Sequence, residues 1–152
     1  MYAILLFLHG IFRWLVVASL VYTVVIAVKG YLENTPFTKK TDLIRHSTAT
    51  IAHLQLMIGF TLYTQSPLVK YFFTNPKTFD LSEITFFSII HGTAMLTAII
   101  VITIGSALAK RKVDDRDKYK TMLIYYSIAL LIIFLAIPWP FSPLSQRPYI
   151  RF

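Results

Sequence analysis

The sequence predicts an all-α membrane protein, a four-transmembrane-helix up-down bundle with both termini outside. Three observations predict it. Hydrophobic residues make up 56% of the chain and fall in long blocks rather than alternating with polar ones. Four blocks come near the ~20 residues that cross ~30 Å of hydrocarbon. The connections between them are short, which makes neighbouring helices antiparallel and leaves a single domain, 1–152, with no soluble catalytic part.

The third observation is the placement of the basic residues. Lys29, Lys39, Lys40 and Arg45 follow the first block, and Lys110, Arg111, Lys112, Arg116, Lys118 and Lys120 follow the third. The other side has only Lys70, Lys77, Arg147 and Arg151. By the positive-inside rule the two richer loops face the cytoplasm of a bacterial inner membrane and both termini face the periplasm. The net charge of +8 therefore reports topology, and nucleic acid is not an expected partner.

The first helix is expected at about 3–28 and is read as retained, because no basic residue precedes it and it is longer than a signal-peptide core. It ends at "VKGYLENTP", where Gly30 and Pro36 break it. The second, about 43–63, starts from Thr41 or Asp42 as N-cap and stops at Gln65, Ser66 and Pro67. The longest connection, "SPLVKYFFTNPKTFDLSE", is aromatic and Pro-interrupted and is expected to lie on the outer surface, with Asp80 and Glu83 spaced as an acidic capping box. The third helix follows at about 84–109. After "KRKVDDRDKYK", read as a solvated turn beside anionic headgroups, the fourth runs over about 122–139. The Pro-rich tail, 140–152, folds back over the outer mouth of the bundle.

There is no cysteine, which excludes disulfides, thiolate metal sites, iron–sulfur clusters and covalently attached haem. Histidine is left as the main ligand. Counted from the outer helix ends at about 1.5 Å per residue, His9 lies roughly 9–13 Å deep, His53 roughly 15–20 Å and His91 roughly 11–16 Å. Their faces agree: His46, Thr50, His53 and Met57 make one stripe, Ser88, His91, Met95 and Ala98 another, and His9 shares a face with Arg13. His46 lies within a turn of the cytoplasmic end, with no histidine opposite it.

Arg13 is expensive at this depth, on the order of 2.5 kcal/mol or more, and cannot deprotonate. No carboxylate lies inside the four helices. Its acceptors are therefore carbonyls, hydroxyls, water or an anionic group on a bound ligand. Without cysteine and without a His–carboxylate–Ser set, nucleophilic catalysis is not expected, and no catalytic residue is assigned.

Three readings of the histidines stand. One is haem b held by two imidazoles, His53 and His91 matching best in depth, with His9 able to replace either or to bond a propionate together with Arg13. In that reading Arg147 and Arg151 pair with propionates at the outer mouth, and electrons pass to or from quinone. A second is a three-histidine copper, iron or zinc site of His9, His53 and His91. A third makes the chain a non-catalytic assembly subunit, contacting other membrane subunits or its own copies, with histidines as hydrogen-bonding glue.

The succession "LHGIFRWLVV", "HLQLMIGFTLY", "HGTAMLTAIIVITIG", "AIPWPF" and "RPYIRF" resembles a group of small four-helix bacterial membrane proteins labelled cytochrome b-like, over nearly the whole chain. The resemblance implies a haem-binding helical protein with His9, His53 and His91 at the recurring histidine positions. The two matched histidine pairs of two-haem cytochromes b are missing, so a single haem is expected.

Overall fold

The computed structural model describes residues 1–75, 83–142, 145 and 147. Among these the chain forms five helices: α1, Tyr2–Glu33; α2, Lys39–Gln65; α3, Pro67–Thr74; α4, Glu83–Arg111; and α5, Asp115–Ala136. Three of them, α1, α4 and α5, are long and apolar enough to cross a membrane.

The expected four-transmembrane-helix up-down bundle is therefore corrected. The second apolar block belongs to a 27-residue helix that is not among the apolar spans. Asp42, Arg45, His46, His53, Gln55 and several Ser and Thr lower its hydropathy, an effect hidden when only the apolar residues between 43 and 63 are followed. A fifth helix, α3, also stands where a surface loop was expected.

Local chemistry explains the helix ends. Helix α1 continues through Gly30, which is buried against the Tyr119 ring, and stops at Asn34, whose φ of 49° is the left-handed conformation common at helix C-termini. Thr38, rather than Thr41 or Asp42, caps α2 by accepting from Thr41 N at 3.3 Å. Ser66 both ends α2 and caps α3, with Pro67 in the first helical position where its missing N–H costs nothing. Helix α5 starts at Asp115, earlier than expected, because Asp115 and Asp117 suit a helix N-terminus; it ends before Pro138. Asp80 lies outside the described residues.

The long helices run antiparallel to their sequence neighbours. Thr23 and Thr48 share a buried hydrogen bond of 2.8 Å between α1 and α2, and Trp14 lies 5.9 Å from Trp139 beyond the end of α5. Both described chain ends thus lie at one end of the molecule. At the other, Asp115 accepts from Phe37 N at 2.9 Å, Tyr119 donates to Pro36 O at 3.1 Å, and Arg116 lies over the Tyr31 ring. The segment read as a solvated turn is therefore docked against the loop between α1 and α2.

Small residues let the backbones close up. Ala27, Ala52, Ala98, Ala109 and Ala129 are fully buried around Leu20, Ile102, Met122 and Tyr126. Leu15, Val25, Leu32, Ile100, Ile104, Leu131 and Leu135 point outward from the three long apolar helices and remain exposed. Arg45, read from the sequence as a loop charge, is 3% exposed; it pairs with Asp42 and donates to Ser106, while its carbonyl accepts from Tyr126. Where the Thr23–Thr48 bond is concerned, Thr23→Val keeps the volume and removes one partner. Stability in detergent should fall by about 0.6 kcal/mol, the typical value of an interhelical hydrogen bond in a membrane protein, as read from a denaturant titration.

Candidate ligand site between His9 and His91

Four residues separate His9 from Arg13 on α1, so both look from one face toward α2 and α4. Across from His9, the ring of His91 stands with its centroid 6.3 Å away and its plane turned by 70°. Nδ1 of His91 lies 2.8 Å from the carbonyl oxygen of Ala136 at the end of α5. A carbonyl only accepts, so Nδ1 carries the proton and Nε2 keeps its lone pair for another partner. The Phe86 and Phe87 rings pack on the same imidazole at 5.8 and 6.0 Å.

His91 follows a wide, π-helical turn, Phe86–Ile90, in α4. Such turns are rare and occur often at functional sites. Tyr63 of α2 steadies this one by donating to Ser88 O at 2.8 Å. On the other wall, Gln55 donates through Nε2 to the backbone oxygen of His9 at 2.9 Å. Gly59, one turn further along α2, faces His9 so closely that a Cβ there would lie 3.1 Å from the imidazole Cε1. The helices meet at this level because glycine offers no side chain.

These residues enclose a cleft of about 380 Å³ that also reaches Arg13 and Arg147. Three buried polar atoms on its lining make no hydrogen bond among the described residues: His9 Nδ1, Gln55 Oε1 and Ser88 Oγ. Buried polar atoms are rarely left so, and three in one cleft point to a ligand with polar atoms of its own. Arg13 holds its guanidinium 5.3 Å from the Trp14 ring centroid. Arg147 pairs with Glu83 and lies 5.2 Å from the centroid of Phe87. Arg151 lies outside the described residues.

His53 is elsewhere. Its ring is exposed on the far side of α2, with Nδ1 2.7 Å from Ala49 O and Nε2 3.1 Å from Thr103 Oγ1. Thr103 follows His91 by twelve residues, about 18 Å along α4. The antiparallel register sets Tyr63 beside Ser88 and His53 beside Thr103, so Gly59 rather than His53 occupies the level of His9. Among the described residues no three His, Asp or Glu side chains gather to hold a metal ion, and the structure gives the three-histidine set no common site. Gln55 and Gly59 are the site residues that sequence reasoning missed. Their signal was a glutamine inside an apolar stretch, four residues before a glycine.

No family model matches the chain, and neither a curated protein nor a solved structure matches it.

Proposed function

We propose that the protein is a membrane electron-transfer protein holding one b-type haem between His9 and His91, in the bacterial inner membrane with its basic loops toward the cytoplasm. The observation that carries this reading is the pairing of two imidazoles from different helices at 6.3 Å. His9 and His91 would hold the haem iron, each helix contributing one imidazole nitrogen. The donor set agrees in kind. His91 has its Nδ1 proton engaged by Ala136 O, as ligating histidines usually do, and His9 presents a buried nitrogen with no other hydrogen bond among the described residues.

The remaining residues have parts in the same reading. Arg13 offers a fixed positive charge for propionate, Gly59 and Gly92 leave the walls low, and the Phe86 and Phe87 rings exclude water. The group would supply one-electron redox chemistry; the chain binds it, orients it and keeps it dry. A quinone dissolved in the surrounding lipid is the exchange partner in this proposal.

The test is the absorption spectrum of protein purified in mild detergent from cells supplied with haem, oxidised and then reduced with dithionite. A sharp Soret band with resolved α and β bands on reduction is the expected outcome. A colourless preparation from such cells would falsify the reading.

A further inference from the structure

A second cleft, of about 290 Å³, lies on the face shared by α2 and α4 at the basic end of the molecule. Four nitrogen-bearing side chains line it, Arg45, His46, His53 and Lys110, and among the described residues no carboxylate does. They act at two levels. Arg45 is buried behind the cleft and fixed there by Asp42 and by Ser106. His53 is fixed as well, with Ala49 O 2.7 Å from Nδ1 and Thr103 Oγ1 3.1 Å from Nε2. His46 and Lys110, like His53, are exposed, and they stand at the mouth. Ala49 and Ala107 keep the floor low between them.

We infer that the α2–α4 cleft of Arg45, His46, His53 and Lys110 binds a phosphate group at the membrane surface. Lys110 and His46 reach the phosphate oxygens from the mouth, and the wall behind them is formed by His53 and the Asp42-paired Arg45. Such a pocket suits a compact anion with several acceptor oxygens better than a carboxylate, which presents two. The cleft runs from Lys110, in the last turn of α4, about 10 Å along that helix to Thr103. It therefore starts at the basic end of α4, which the proposed topology sets at the level of the headgroups. The inference is independent of the His9–His91 site.

The same phosphate chemistry has two sources, an anionic phospholipid and free phosphate, and two arms separate them. In the first, full-length protein is reconstituted into vesicles of equal parts phosphatidylglycerol and phosphatidylcholine, extracted gently, and its retained lipid is identified by native mass spectrometry. Wild-type protein is expected to retain phosphatidylglycerol preferentially, Lys110→Gln to reduce that retention about fivefold, the effect of one Lys at a membrane surface, and His46→Gln to reduce it as well. In the second arm, inorganic phosphate is titrated into protein in pure phosphatidylcholine nanodiscs against a chloride control, with the His46 and His53 ring resonances followed by NMR. Shifts with phosphate that Lys110→Gln abolishes identify the free anion as the source; retention of phosphatidylglycerol without such shifts identifies the lipid. Both variants alter exposed side chains, so the fold is not at issue. Silence in both arms, or a phosphatidylglycerol preference that survives both substitutions, overturns the inference.

Discussion

Alanine at His91 is expected to abolish haem retention, alanine at His9 to do the same, and alanine at His53 to leave the spectrum unchanged. The first two remove one of a facing pair of imidazoles, and the apolar cleft has no third histidine to replace it. His53 sits about 18 Å further along α4 and is bonded to Ala49 and Thr103. The measurement is the haem-to-protein ratio by pyridine haemochrome, on variants purified from haem-supplied cells. Even substitutions beside a metal ligand commonly lower affinity 10- to 100-fold, about 10-fold is thus the smallest loss expected here. Alanine at His53 trims an exposed side chain of α2, so the fold is preserved. If folded His53→Ala protein lost haem as fully as His91→Ala, the His9–His91 pair would not be what holds the haem.

The largest expected effect on stability comes from Gly105→Ala. A Cβ at Gly105 would collide with Cβ and Cγ of Tyr125, where α4 and α5 are in direct contact. These atoms are the root of the tyrosine side chain, so rotation about χ1 cannot move Cβ aside and the helices themselves must separate. Overpacking of this kind costs about 1–3 kcal/mol. A Cβ at Gly30 meets ring atoms of Tyr119 instead, further out along a side chain whose hydroxyl is held by Pro36 O. Gly10→Ala is the control, since nothing lies within 4 Å of the added carbon. Thermal scans in one detergent should show a lowered transition for Gly105→Ala and none for Gly10→Ala; equal transitions would mean that α4 and α5 are not packed through Gly105.

Much of the site was legible in the sequence, for a local reason. The four-residue interval between His9 and Arg13 fixes their common face without any knowledge of the fold, and an ionisable pair in an apolar block is seldom turned to lipid. His91 was legible on the same ground. His53 was not, because depth along its own helix says nothing of the register between helices. The Tyr63–Ser88 bond and the close approach at Gly59 set that register, and they place a glycine where a histidine was expected. Arg45 misled in the opposite direction: two residues from the predicted start of the second helix it reads as a loop charge, whereas Asp42 and Ser106 hold it inside. The polarity of α2 was visible all along in its Ser, Thr and His residues, but following the apolar ones alone made a fourth span of it.

The wide turn at Phe86–Ile90 works as a phase shifter. In an unbroken α-helix, Glu83 and His91 would point about 80° apart, being eight residues distant. One additional residue absorbed in the turn reduces that offset to about 20°. Both side chains then look to one side of α4, where Glu83 meets Arg147 of the tail and His91 meets Ala136 at the end of α5. A single added residue thus lets one helix clasp the last turn of its partner and the chain beyond it along a common line.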